Sequence, residues 1–382
     1  MAFEPLPLPD DISEDYLDCT SSCGLNFHIL KAGEAGRPLI LFCHGYPELA
    51  FSWRKILPAV AKAGYYCVAM DQRGYGRTTG WDDKPYHEVD LAEYTITNLV
   101  RDLVCLTYRL GYTDVACIIG HDFGAVSSAM AALIRPDIFK ATIQMSHPHH
   151  ALPTPQLGDK AKPPPVDIQA DLAKLSPPRK HYKWYNSTAG AANDWDHPSQ
   201  GLEKYLRGYF HLKSADWDKN DPHPLKEWSA KEIEVMPEYY VMAKDDSFPQ
   251  TVEKSMKGED YSKTESWLPA DDLRVYVQEW SRTGFQGALN WYRAQTASTP
   301  QSKKDMLLYA GRRIEVPCTF ISGKQDWGNF QQPGAFEAYE DEKCVRPGCF
   351  KGTRLIDHAG HWVQQEQSQA VTKEVLDFLK GL

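Results

Sequence analysis

Residues 115–119, Val-Ala-Cys-Ile-Ile, run directly into Gly120-His121-Asp122-Phe123-Gly124. An apolar run, a small-x-residue-x-small pentapeptide and a helical pattern in succession fit one local design: strand, tight elbow, helix. The two glycines suit a reversal so sharp that the central side chain stands clear of the turn. Serine is the usual occupant of that place; here it is aspartate. A carboxylate is a poor nucleophile at a carbonyl carbon, because the adduct is a labile anhydride. At a saturated carbon bearing a leaving group it forms an alkyl ester. Read by itself, the pentapeptide also fits an ordinary glycine turn whose aspartate caps a helix.

The flanking sequence sets the elbow in a sheet. Apolar runs at 38–43, 66–70 and 141–145 end in His44-Gly45, Asp71-Gln72-Arg73-Gly74 and Ser146-His147-Pro148. Short runs of this kind read as strands buried on both faces of a parallel sheet. Helical patterns at 53–63, 91–110 and 125–134 alternate with them. The alternation predicts an α/β fold with a mostly parallel, doubly wound sheet. It resumes at 316–321 and 353–356, and a helix from about Val363 closes the chain. Residues 151–305 differ: they open with prolines, Pro163 to Pro165 reading as linker, and are dense in Trp and Tyr. The predicted organisation is core over 1–150, an inserted, mostly helical lid over 151–305 with aromatics toward a pocket, and core again over 306–382.

Composition excludes several classes. The chain has 382 residues and a net charge of −9 without a long like-charge block, so a nucleic-acid partner is not expected. No apolar run approaches the roughly 20 residues of a membrane span. The first residues lack a signal-peptide pattern and the last lack Ser-Lys-Leu, so the expected location is cytoplasmic. Of nine cysteines, Cys43, Cys67, Cys117 and Cys318 sit in strand-like runs and read as small buried hydrophobes; Cys344 and Cys349 read as solvent-side thiols. Gly74 and Gly76 do not make a dinucleotide loop, since Thr79 takes the third glycine's place. His147, His149 and His150 lack the companions of a metal set and are expected at a pocket rim. No metal or organic cofactor is expected.

Two further motifs follow strands. His44-Gly45-Tyr46-Pro47-Glu48 is placed to lend the Tyr46 N–H to an oxyanion hole, with the Phe123 N–H as its other donor. Tyr46-Pro47 is a candidate cis peptide. Near the end come Asp326 in Ser322-Gly323-Lys324-Gln325-Asp326-Trp327 and His361 in Asp357-His358-Ala359-Gly360-His361-Trp362. Nucleophile, acid and base in this chain order suit an α/β sheet. His361 is the candidate base, with His358 behind it; Asp326 is the candidate acid that orients it, with Asp357 as competitor.

These motifs, with Gly284-Phe285-Gln286-Gly287-Ala288-Leu289-Asn290-Trp291-Tyr292-Arg293, resemble the epoxide hydrolases of the α/β-hydrolase fold. The resemblance runs over nearly the whole chain after about residue 20, and the decamer is its most specific part. It implies the α/β-hydrolase fold and a small-molecule epoxide as substrate. It also implies two lid tyrosines that hydrogen-bond the epoxide oxygen. Tyr292 matches one; Tyr182 is the choice for the other, ahead of Tyr185 and Tyr209. His44, Pro47, His147, Trp184, Trp327 and Trp362 are the expected pocket residues. Phe123 departs from the tryptophan many members carry after the nucleophile. That alters the pocket wall and weakens a haloalkane dehalogenase reading, in which an indole there tends to hold halide. Fluoroacetate dehalogenases, similar in fold, imply an arginine beside the nucleophile, and none stands here. A ligand receptor or cyclase on the same scaffold would keep the pocket without needing the whole catalytic set.

Overall fold

A computed structural model describes residues 4–155, 166–297 and 300–382, so the run Pro163–Pro165 lies outside the described residues. The strands are β1 (Ser13–Cys19), β2 (Leu25–Ala32), β3 (Leu39–Cys43), β4 (Tyr66–Met70), β5 (Cys117–His121), β6 (Thr142–Met145), β7 (Arg179–His181), β8 (Val241–Ala243), β9 (Cys318–Gly323) and β10 (Phe350–Ile356). Eight form one sheet in the order β1-β2-β4-β3-β5-β6-β9-β10, and β7 pairs with β8 in a separate ribbon. From β4 across to β10 all pairs are parallel, while β2 runs antiparallel to both β1 and β4.

The runs read as doubly buried strands are so. Along β3, Leu39, Leu41 and Cys43 enter one apolar cluster and Ile40 and Phe42 the other, on opposite faces of the pleat. Helices Ile96–Arg109 and Phe123–Ile134 cover the first face; Leu57–Lys62 and Ser368–Lys380 cover the second. β1 and β2 are not in the sequence reading. β1, Ser-Glu-Asp-Tyr-Leu-Asp-Cys, is a largely exposed, charged edge strand and has no apolar run to announce it. The predicted helix at 91–110 splits into a 3₁₀ turn, Leu91–Tyr94, and Ile96–Arg109. Cys43, Cys67, Cys117 and Cys318 are buried as expected, but Cys344 is buried too: its thiol faces the His149 carbonyl at 3.3 Å. The turn expected to expose it folds back on the sheet.

Strand order reverses at β3, whose neighbours β4 and β5 lead to opposite sides. Ligands of open α/β sheets bind at such a point, outside the carboxyl ends of the strands. The segment between β6 and β9 packs over that end. Its helices Leu202–Lys213, Ala270–Thr283 and Gln286–Ala297 share one aromatic cluster with Tyr46, Phe51, Phe123, Trp327 and Trp362 of the sheet's loops. Indole N–H groups fix the contact: Trp280 donates to the Pro47 carbonyl (2.9 Å), Trp291 to that of Arg73 (2.8 Å) and Trp362 to that of Phe210 (2.8 Å). No helix among the described residues is long and apolar enough to cross a membrane.

A buried ionic cluster joins the β1–β2 hairpin to the same segment. His28 donates from Nδ1 to Asp71 (2.7 Å) and from Nε2 to Glu14 (3.1 Å), so both ring nitrogens carry protons. Arg77 bonds Glu14 (2.7 Å) and, on helix Ala270–Thr283, Glu279 (2.8 Å). Burial opposes the charge on His28, but the Asp71 and Glu14 carboxylates outweigh it and raise the imidazole to about 9. A raised folded-state value means stabilisation complete below the unfolded value of about 6.5 and lost as pH climbs through 9. Urea unfolding should therefore show stability falling between pH 6.5 and 9, and His28→Gln should remove that fall. An identical slope in both proteins would place its source elsewhere.

Candidate active site

β5 delivers His121, and helix Phe123–Ile134 begins one residue after Asp122. Asp122 takes the turn itself, at φ 52° and ψ −115°. Such a backbone costs a non-glycine residue roughly 1–3 kcal/mol. The flanking glycines act differently from the sequence reading: neither has a positive φ. They are there for closeness. A Cβ on Gly120 would lie 1.9 Å from the Gly124 carbonyl oxygen, and one on Gly124 would lie 2.0 Å from that of Cys43. Gly45 is likewise pressed on the nucleophile candidate, its Cβ position 2.4 Å from Asp122 Cβ.

That approach brings the Tyr46 N–H to 3.0 Å from Asp122 Oδ1. Tyr46-Pro47 is cis. The Phe123 N–H is the first of its helix, where intrahelical acceptors are lacking. On the other flank, His361 Nε2 lies 3.5 Å from Asp122 Oδ2, and its Nδ1 lies 3.1 Å from both oxygens of Asp326. Asp326 also accepts from the Gly328 N–H at 2.6 Å. The competitors stand apart: His358 is exposed, and Asp357 pairs with Lys324 at the surface. Burial would raise the Asp122 carboxyl; the hydrogen bond and charge of His361, with Lys213 and His121, reverse this and hold it far below the usual carboxylate range.

The inserted segment supplies the opposite wall. The Tyr292 ring stands 4.6 Å from Phe123, 5.4 Å from Tyr46 and 5.8 Å from Tyr182. Burial, and to a smaller degree the Asp122 charge, raise both phenols well above their ordinary value. Tyr185 is spent on Asp194, and Tyr209 packs on Trp195 and Trp362. The glycine of the decamer explains how Tyr292 gets there. Gly287 crosses Gly74 backbone to backbone, a Cβ on Gly287 falling 2.7 Å from the Gly74 oxygen.

The expected pocket residues divide. His44 is fully buried, its Nδ1 donating to the Gly45 carbonyl (2.8 Å) and its Nε2 taking the Gln72 N–H (3.1 Å), so it is a strut beneath the site. Pro47 serves through its carbonyl, the acceptor of Trp280. Trp362 wedges between His361 and Phe210. Trp184 packs edge-on to His181, and Trp327 packs on His223. Burial lowers His147 and His149 to about 3 and His150 to about 4, with the Lys183 ammonium adding to it at His147 and His150. Among the described residues no three His, Cys, Asp or Glu side chains are grouped to hold a metal.

Sequence reading passed over four residues. Glu48 holds His121 Nδ1 at 2.6 Å, and His121 Nε2 donates to the His361 carbonyl at 2.7 Å. With two acceptors His121 is an imidazolium, a neutral pair with Glu48 beneath Asp122. Both residues stand inside the motifs, but the elbow draws attention to their neighbours. Lys213, only 5 % exposed, has its ammonium among the rings of Tyr209, Tyr240 and Trp362 at 5.2–5.5 Å. Glu366 accepts the N–H groups of Gly360 and Trp362 (both 2.9 Å) and of Ala215 (2.8 Å), bracketing His361. No local pattern marks either.

Comparison with known proteins agrees with this architecture. A family model described as alpha/beta hydrolase fold matches residues 38–167. Epoxide hydrolase A of Mycobacterium tuberculosis is 31% identical over 364 residues, 94% of this chain and 95% of that protein. The solved structure of potato (Solanum tuberosum) epoxide hydrolase I covers 97% of this chain and 100% of its own at a TM-score of 0.70 and 27% identity. An epoxide hydrolase from an endophytic Streptomyces gives a TM-score of 0.75 at 25% identity, over 98% and 96% of the two chains.

The Gly74–Gly287 crossing is open to test. Gly287→Ala should destabilise the protein by about 1–3 kcal/mol, because backbone must move to admit the methyl. Gly190→Ala, where an added Cβ meets nothing, should change stability by less than about 0.5 kcal/mol. Equal midpoints for the two variants in urea would show that the crossing is not tight.

Proposed function

This chain belongs to the epoxide hydrolases of the α/β-hydrolase fold, and we propose that it opens an epoxide to a vicinal diol in two steps at Asp122. The inserted segment acts as the lid. In the first step Tyr182 and Tyr292 hydrogen-bond the epoxide oxygen while Asp122 attacks a ring carbon from the opposite side. A carbon–oxygen bond forms to the carboxylate, the ring bond breaks, and its electron pair goes to the ring oxygen, which takes a proton. In the second step His361, oriented by Asp326, takes a proton from water, which adds to the ester carbonyl of Asp122. The oxyanion rests on the N–H groups of Tyr46 and Phe123 until the diol leaves.

The observation that carries this reading is the state of Asp122. It is a carboxylate held anionic on a largely buried elbow, with an N–H at 3.0 Å, a histidine at 3.5 Å and two phenols across the gap. A dehalogenase would want indole N–H groups for halide. Those of Trp280, Trp291, Trp195 and Trp362 are spent on Pro47, Arg73, Asn186 and Phe210, which leaves the buried Trp327 Nε1, without a partner among the described residues, as the donor such a reading would have to use.

The origin of the diol oxygen tests the scheme. In a single turnover in ¹⁸O water with enzyme in excess, the diol should be unlabelled and the peptide containing Asp122 labelled. Labelled diol with an unlabelled peptide would mean direct attack by water and would remove Asp122 as nucleophile.

His361→Gln separates the steps. It should leave alkylation intact and slow ester hydrolysis by about 10²–10⁴-fold, the usual worth of a general base. Intact-protein mass should then rise by the mass of the epoxide. Turnover at the original rate without an adduct would exclude His361 as the base.

A further inference from the structure

The Tyr182 hydroxyl donates to Gln331 Oε1 at 3.2 Å, between side chains that are both almost wholly buried. A phenol has one proton to give. While it goes to Gln331 it cannot go to an epoxide oxygen. The NH₂ of Gln331 has no acceptor among the described residues. A half-turn of the carboxamide therefore breaks no other bond, and it replaces the oxygen facing Tyr182 by an N–H donor. Tyr292 has no hydroxyl hydrogen bond among the described residues, so the arrangement is particular to Tyr182.

We propose that Gln331 is a positioning residue for Tyr182: its carboxamide accepts the phenol proton in the empty site and turns to donate to the phenol oxygen when an epoxide binds. The inference rests on the two-step reading above and deepens it. As Asp122 bonds to carbon and the ring bond breaks, the Tyr182 proton crosses to the ring oxygen. The phenolate oxygen left behind accepts the Gln331 N–H until a solvent proton restores the phenol. Burial makes an unaided phenolate unfavourable here, and the Asp122 charge, which adds to that burden, disappears in the same step as the ester forms. Gln331 lies on the loop that carries Asp326, five residues on, so acid and phenol partner arrive on one stretch of chain.

Single-turnover kinetics on six proteins tests this: the unmodified protein and Tyr182→Phe, each alone and with either of two substitutions at Gln331. Gln331→Met keeps the bulk and removes both polar atoms; Gln331→Glu keeps the shape but only accepts. Alkylation should slow about tenfold in the first and about 100-fold in the second, while ester hydrolysis stays within about twofold. In a Tyr182→Phe background both losses should shrink to within about twofold, because there is no phenol left to serve. Equal losses with and without the Tyr182 hydroxyl, or equal slowing of both steps, would overturn the proposal and make Gln331 a packing residue. Absence of any ester on Asp122 in the unmodified protein would instead overturn the underlying two-step reading.

Discussion

The hydrogen bond from the Tyr46 N–H to the Asp122 carboxylate joins the ends of β3 and β5, and the other elements of the site are arranged around it. Adjacent parallel strands put their carboxyl ends side by side, but loop backbones seldom come close enough for one to grip a side chain of the other. Here two glycines, Gly45 and Gly124, remove the side chains that would keep them apart, while Gly120 makes room within the elbow. The strain falls on Asp122 itself, the residue whose side chain has to stand proud. Stored strain at a reactive residue is tolerated where the surroundings over-determine it. Strand pairing, helix start and loop contact all do so here.

A carboxylate in that position needs compensation, because removing charge from water is expensive. The site provides it in layers. Glu48 and His121 form a neutral pair beneath, and they reach His361 through its carbonyl. Asp326 and His361 lie to one side. Lys213 adds a positive charge from the inserted segment, its own ammonium lowered by burial and supported by Asp122, Asp326 and Glu48. The inserted segment thus contributes to the electrostatics of the sheet's residues as well as covering them.

Much of this was legible in the sequence because it is local. Each functional side chain of the sheet sits within a few residues of an apolar run, so strand end and motif announce one another. Residues 38–43, 115–119 and 316–321 carry that signal; β1, polar and at an edge, does not. The role of Gly120 and Gly124 was misread, since a short motif cannot tell a glycine that bends from one that makes room. Gln331, Lys213 and Glu366 were invisible for a further reason. Each makes at least one contact far away in sequence, Gln331 to Tyr182, Lys213 to the rings of Tyr240 and Trp362, and Glu366 to the Ala215 N–H. His44 shows the converse: it belongs to the motif, yet holds the loop from below.

The indole bonds that dock the inserted segment have a mechanical meaning. Trp280 grips the carbonyl of Pro47, the residue after the N–H that holds Asp122. Trp362, the residue after His361, grips Phe210, and the His361 N–H grips the Lys213 carbonyl at 2.8 Å. A rigid lifting of the cover would therefore drag the loops of Tyr46 and His361 with it. Small molecules entering or leaving by that route would find the machinery dismantled at each passage. Traffic that preserves it calls for side-chain motion between the helices rather than displacement of the cover as a body.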